Sequence, residues 1–359
     1  MDFGLSEEQE MLQETIRGLA QNECPTTRLR ELFDAGEGHD PALWSALVEM
    51  GVAGLTVPEA QGGAGMELLD LALVAEVLGE FAIPSPFLGH ALAIQGILLR
   101  GSPAQQAELL PALAAGEQIA SVALQESDTA WAPVDWTAKL DGDRVSGVKT
   151  LVTHATLADR LLVGVQGGEL VWVDARGEGV SIEPVAGVDR TRPIATVRLD
   201  GAPAERLDGG SGEPMELLRA AAVLLAADAF GAASKLIDLD VAYAMEREQF
   251  GQPIAQFQAI KHTIARLGTD IEPSRALWWY AAHALDHLPD EAPRAASVAK
   301  SHITDRAMHA ARQSVELHGG YGFTWECEVQ MWFKRIMLDR SLFGTPDQHR
   351  DLTAEIGGY

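Results

Sequence analysis

The chain has 359 residues, 47% hydrophobic and 22% charged, the composition of a folded protein with room for two or three domains and not of a disordered one. Asp plus Glu number 52 against 27 Lys plus Arg, and the net charge of −25 repels phosphodiester backbones and anionic lipid, so nucleic acid and membrane surfaces are excluded as partners. Two cysteines, Cys24 and Cys327, make neither a disulfide framework nor a zinc set, and the acidic opening MDFGLSEEQE lacks a signal-peptide core, so a cytoplasmic location is expected.

Residues 1–118 read as a helical domain. Ser6 caps a first helix with Glu7 and Glu8 in its opening turn, and Leu12, Ile16, Leu19 and Ala20 follow at helical spacing. Leu43, Leu47 and Met50 mark a second helix ended by Gly51, Leu68–Leu78 a third, and Ala104–Ala114 a short last one. The uncharged stretch Phe81–Leu99 contains Pro84, Pro86, Gly89, His90, Gln95 and Gly96, so it reads as a kinked buried connection and not as a membrane span. No strand precedes the glycine loop Gly62-Gly63-Ala64-Gly65, which rejects a dinucleotide fingerprint.

Residues 119–208 change texture. Ile119–Leu124, Val145–Val152, Leu161–Val165, Leu170–Val173 and Ala195–Leu199 are strand candidates, with hairpin-type turns at Asp141-Gly142 and Gly167-Gly168, so a small antiparallel barrel or sandwich is expected. The run Asp208–Gly212 is a linker. Residues 213–359 then return to helices, near 215–248, 256–287, 293–318 and 328–340, which predicts a four-helix bundle. His283 and His287 lie four apart on one of these helices without a third placed ligand, so they read as an exposed face and no metal is expected. Trp278-Trp279-Tyr280 reads as bundle core or interface.

Two constellations carry chemistry. In the first, Arg247-Glu248-Gln249-Phe250-Gly251-Gln252-Pro253-Ile254 leads into Phe257-Gln258. An arginine at such a helix end can reach a phosphate and the phenyl rings can flank a planar group, or the segment is a plain helix corner. In the second, Glu316 precedes Gly319-Gly320-Tyr321-Gly322-Phe323-Thr324, where the glycines either admit a ligand to the backbone or space packed helices; spacing alone favours neither.

Together with the opening Phe3-x-Leu5-x-Glu7-Glu8-Gln9, these motifs resemble the acyl-CoA dehydrogenase family over essentially the whole chain. The resemblance implies an α+β multidomain fold: an N-terminal helical domain, a middle β-barrel and a C-terminal four-helix bundle. It implies FAD as cofactor, with a carboxylate removing the α-proton of an acyl-CoA thioester while a hydride leaves the β-carbon. Arg247, Phe250, Phe257, Gln258, Gly319 and Gly320 match positions that hold FAD across a subunit interface. Glu316 stands where the family usually has glutamine, Thr345 matches a threonine that touches FAD, and Thr153 survives from a Trp-Ile-Thr flavin rest that here reads Leu151-Val152-Thr153.

The departures concern the base. The family's usual Tyr-Glu-Gly-Thr appears as Leu342-Phe343-Gly344-Thr345, and the alternative base position on the first bundle helix is Ala221, followed by Ala222 in place of an arginine. The barrel motif Thr-Glu-Pro-x-x-Gly-Ser-Asp appears as Gln125-Glu126-Ser127-Asp128-Thr129-Ala130. This pattern resembles the base-lacking subunit of the heterotetrameric actinobacterial steroid side-chain acyl-CoA dehydrogenases. It implies a second, glutamate-bearing subunit as partner, an acyl-CoA substrate and an electron-transfer flavoprotein-type acceptor. Two alternatives stand beside it: a homotetramer with a relocated base, for which Glu126 and Asp347 are the first trials, and a non-catalytic assembly or regulatory protein of the same fold.

Overall fold

The structure is a computed structural model that describes residues 4–359, so Phe3 of the opening motif lies outside the described residues. The first helices are α1 (Glu7–Glu23), α2 (Thr26–Ala35), α3 (Pro41–Glu49), α4 (Leu68–Glu80), α5 (Phe87–Arg100) and α6 (Pro103–Ala114). Ser6 starts α1 as its sequence predicts: its Oγ accepts from the Gln9 amide at 3.2 Å while the Gln9 side chain accepts from the Ser6 amide at 3.0 Å. The expected kinked connection over 81–99 is corrected. Pro84 and Pro86 precede α5, which runs unbroken through Gly89 and Gly96. These two glycines let the helix lie directly on the sheet, since a Cβ at Gly96 would stand 2.2 Å from Leu162 and one at Gly89 2.6 Å from Ser121.

The sheet is built from β1 (Ala120–Ala123), β2 (Lys139–Asp141), β3 (Arg144–Thr153), β4 (Arg160–Val165), β5 (Glu169–Asp174), β6 (Val180–Val185) and β7 (Ile194–Leu207). Its order is β1-β4-β5-β7-β3-β2, with β6 also on β7. The pairing is mixed and not wholly antiparallel, because β1 runs parallel to β4. The long β7 curls the sheet: its first half pairs with β3 and β6, and its second half with β5. Inside lies a core of Val145, Val152, Leu161, Val163, Val171, Val173 and Val197.

The C-terminal region holds α7 (Pro214–Glu246), a small hairpin of β8 (Glu248–Gln249) and β9 (Gln252–Pro253), then α8 (Gln258–Ile271), α9 (Arg275–His287), α10 (Ala292–Leu317), α11 (Val329–Ser341) and α12 (Pro346–Ile356). The single helix expected over 256–287 is divided at Glu272–Ser274, where Pro273 has no amide to continue the ladder. By length and composition α7 is apolar enough to cross a membrane, but 83% of its apolar window is buried in the protein.

One apolar core runs through both helical regions, from Ile16 to Phe343. Its centre is the crossing of α4 and α7, where glycines permit backbone contact. A Cβ at Gly79 would lie 2.0 Å from the Asp228 carbonyl oxygen, and one at Gly231 would lie 1.9 Å from that of Glu76. A buried ionic joint sits beside this crossing. Arg335 on α11 gives Asp228 two bonds of 2.8 and 2.7 Å, and it also donates to the Ile83 carbonyl at 3.0 Å and to Thr191 Oγ1 at 2.9 Å. Arg192 donates to Asp228 at 3.2 Å and to Asp339 at 2.5 Å. Burial alone would push the Asp228 carboxyl up, but Arg192 and Arg335 outweigh it and hold it below its ordinary value. The joint therefore ties the N-terminal helices, the sheet and the bundle at one point.

Candidate active-site cavity and cofactor edge

The turn between α11 and α12 is held in place by left-handed backbone. Phe343 has φ +53° and Gly344 φ +98°. A Cβ at Gly344 would stand 2.9 Å from both the His349 Nε2 and the Trp131 ring, so only glycine fits there. The Phe343 amide donates to Gln125 Oε1 at 3.3 Å, and its carbonyl accepts from His349 Nε2 at 3.0 Å. The phenyl ring itself is 4% exposed, packed into the core. Thr345 caps α12, its Oγ1 accepting from the Gln348 amide at 3.4 Å.

Beside this turn lies a cavity of about 280 Å³ between α7, α10 and α12, lined by Trp131, Leu218, Arg219, Ala222, Ser297, His349 and Ile356 among others. Ala222 puts the α7 position next to Ala221 on its wall, and Ala221 itself is 0% exposed. No aspartate or glutamate lines this cavity. His349, the one titratable acceptor in the lining, is engaged at both ring nitrogens. Burial, with Lys300 nearby, pulls its pKa down to about 4. Its Nε2 donates to the Phe343 carbonyl, which leaves Nδ1 as an acceptor facing Ser297 Oγ at 3.4 Å.

The trial bases stand elsewhere. Glu126 accepts from the Thr137 and Ala138 amides, from Thr137 Oγ1 at 2.6 Å and from Lys149 Nζ at 2.7 Å. Burial pushes its carboxyl up, but Lys149 and these bonds outweigh it, so it sits below its ordinary value as a strut of the sheet. Asp347 is exposed and paired with Arg350 at 2.6 Å. Neither lines the cavity.

A second feature is an exposed edge where α7 and α10 end. Tyr243 stacks on His318 with ring centroids 4.2 Å apart, and Tyr321 continues the stack at 6.4 Å from Tyr243. This joins the end of α7, which leads into Arg247, Phe250 and Phe257, to the end of α10, which leads into Gly319-Gly320; Thr345 lies apart, at the cap of α12. Arg247 is exposed, the C-cap of α7, and has no ion-pair partner among the described residues. Phe250 sits at the tip of the β8–β9 hairpin at φ +53°, 92% exposed, edge-on to Phe257 at 6.1 Å. Gln258 opens α8 in solvent, and Glu316 is exposed, accepting from Gln313 at 2.9 Å. A Cβ at Gly319 or Gly320 would meet nothing within 4 Å, so the glycine pair is no packing spacer within this chain; Gly322 is, its Cβ position lying 2.3 Å from the Val315 carbonyl oxygen. A free guanidinium, an uncovered phenyl ring and open glycine backbone fit a planar, phosphate-bearing group presented from outside the chain.

Thr153 is not part of this edge. It is buried at the end of β3, and its carbonyl accepts from Ser121 Oγ at 2.6 Å. Leu151, two residues earlier, has φ +54° and lines a separate groove of about 260 Å³ with Asp128, Asp189 and Arg192. His283 and His287 have ring centroids 4.6 Å apart, and His287 Nε2 lies 3.0 Å from Glu67. Sequence reasoning missed Trp131, Arg219 and His349, and met Gln125 only as part of the altered barrel motif. The one legible signal was the spacing of Thr345 and His349, which returns the imidazole over the capped turn.

Residues 6–117 match the family described as "Acyl-CoA dehydrogenase, N-terminal domain", and residues 208–357 match "Acyl-CoA dehydrogenase, C-terminal domain". Acyl-CoA dehydrogenase IpdE2 of Mycolicibacterium smegmatis is 33% identical over 98% of this chain and 100% of its own length. The chain belongs to the acyl-CoA dehydrogenase family. Members of this family are flavoprotein oxidoreductases, and the fold expected from the motifs is the family's fold. Among solved structures, the ChsE4-ChsE5 complex from Mycobacterium tuberculosis has TM-score 0.90 and 26% identity, covering 100% of both chains. The Tcur3481-Tcur3483 steroid ACAD has TM-score 0.89 and 31% identity, covering 98% of both. Within the acyl-CoA dehydrogenase family this chain thus combines the expected fold with a cavity that no aspartate or glutamate lines.

Proposed function

We propose that this chain is the base-lacking subunit of a heteromeric, FAD-dependent acyl-CoA dehydrogenase. The observation that carries it is the contrast between the two features above. The cavity beside Phe343 and Ala222 is lined by no carboxylate, while the edge around Arg247, Phe250 and Gly319-Gly320 stands open and unpaired. Arg247 would meet the pyrophosphate, Phe250 and Phe257 would flank the cofactor, and Gln258, Gly319 and Gly320 would offer polar and open backbone surface. Glu316, Thr345 and Thr153 complete the set by family position. Bound FAD supplies the hydride acceptor; the residues of this chain hold and orient it, and a partner subunit supplies the glutamate that takes the α-proton. The division into 1–118, 119–208 and 213–359 gives the helical, sheet and bundle parts of that assembly.

The similarity to chains of the ChsE4-ChsE5 complex and of the Tcur3481-Tcur3483 steroid ACAD supports a two-subunit assembly and a steroid-derived acyl-CoA as substrate class. The reading carries an electron-transfer flavoprotein-type acceptor with it. A self-sufficient enzyme is disfavoured because Glu126 and Asp347 lie off the cavity.

The test is co-expression with an acyl-CoA dehydrogenase-like partner encoded beside this chain, followed by flavin absorbance and turnover. The complex is expected to hold FAD and oxidise an acyl-CoA, and Arg247→Ala is expected to lower its FAD content about tenfold, the scale of a lost charge-assisted contact. Stoichiometric FAD and turnover in the lone chain would sink the proposal.

A further inference from the structure

We infer that the cavity between α7, α10 and α12 is a binding site for a compact apolar carboxylate, which this subunit holds without reacting. Binding stands on the cavity alone; the absence of reaction rests on the base-lacking reading above.

Met215, Leu218, Arg219 and Ala222 fall on one stripe of α7 and all face the cavity. Trp131, Leu352 and Ile356 complete an apolar wall. Arg219 is the single cationic side chain in it. It is half-buried, and among the described residues it makes no hydrogen bond or ion pair with any protein group. By contrast Arg17, Arg28, Arg192, Arg275, Arg335, Arg340 and Arg350 are all paired. A guanidinium drawn partly out of water along an apolar wall, with no acid lining the same space, is unfavourable until an anion meets it. Burial lowers the Arg219 pKa against the pull of Glu216 and Glu213, yet both acids lie off the cavity lining.

The size and polarity narrow the ligand. The volume of about 280 Å³ is near the small end of ligand pockets, roughly 300 Å³. One fork-shaped donor in an otherwise apolar wall matches a carboxylate, which takes two parallel N–H bonds from arginine. Ser297 and the neutral His349, the other polar lining residues, are engaged with each other and with the Phe343 carbonyl, so they offer no second charge. A short apolar acid with its carboxylate on Arg219 and its tail toward Trp131 satisfies both halves of the wall.

The experiment is isothermal titration of the full chain with octanoate and with octanol, repeated on Arg219→Met. Octanoate is expected to bind at least about tenfold more tightly than octanol, as one charge-assisted pair provides. Arg219→Met is expected to remove that preference while leaving octanol binding unchanged. Absence of octanoate binding, equal binding of acid and alcohol to the unaltered chain, or an unchanged acid preference in Arg219→Met each overturns the inference. Octanoyl-CoA is the third probe: if it displaces octanoate and binds more tightly, the site takes a thioester and the carboxylate assignment is wrong. Turnover of octanoyl-CoA by the lone chain would overturn the base-lacking reading and leave carboxylate binding standing.

Discussion

Phe343 and Gly344 hold a costly backbone turn beside the cavity. Both residues sit in the left-handed region, and Gly344 has His349 and Trp131 at contact distance from where a Cβ would be. Gly344→Ala must therefore distort the turn or displace both rings. It is expected to destabilise the chain by about 2–4 kcal/mol, read as a drop in urea midpoint. A loss under about 0.5 kcal/mol would mean that the turn relaxes freely. The family resemblance singled out Phe343 and Ala221 from the sequence. It did not make legible that Trp131, Arg219 and His349 share a cavity, because they come from a loop and two helices far apart in sequence and only tertiary packing unites them.

At the level of elements, helices with strong caps or a clear apolar period were readable. α1 announces itself through Ser6 and Gln9. α5 did not, because its apolar residues cover every face and its glycines look like breaks until the sheet is known to press against them. The second half of β7 was hidden by Gly201-Ala202-Pro203, which reads as a turn but continues the strand with Gly201 at φ +63°. The joint around Arg335 was invisible for another reason: its partners Ile83, Thr191 and Asp228 belong to three segments with no local pattern in common. Arg335→Leu leaves Asp228 short of a buried partner and is expected to cost about 3–5 kcal/mol. Asp228→Asn in the same chain is expected to recover part of that loss, and a double variant no more stable than the single would refute the pairing as its cause.

Three of the buried histidines weaken the molecule in acid, while burial that pushes the Asp240 carboxyl up to about 7 and Asp286 to about 6 works the other way. Burial pulls His90 and His349 down to about 4 and His154 to about 3, in each case against a favourable backbone bond. His90 bridges the helices and the sheet, its Nε2 meeting the Leu113 carbonyl at 3.2 Å while Nδ1 accepts from the Ala120 amide at 3.3 Å. A depressed folded-state pKa means that the unfolded chain takes up the proton first as pH falls. The stability these groups confer is thus present above the ordinary value of 6.5 and is lost as pH falls toward 4. Relative to the unaltered chain, His90→Gln is expected to be less stable at pH 7 and to lose less of its thermal midpoint between pH 6.5 and 4. An unchanged slope in His90→Gln would remove this residue from the account.

The crossing of Gly79 and Gly231 bears on how such chains can be recombined. The stretches matched by the two family domains, 6–117 and 208–357, share one core, with backbone against backbone at those glycines. Neither family domain is therefore a module that can be exchanged freely. A chimera taking one half from a relative would inherit this chain's architecture only if both positions stayed glycine, since a single methyl at either would meet the opposing carbonyl oxygen at about 2 Å.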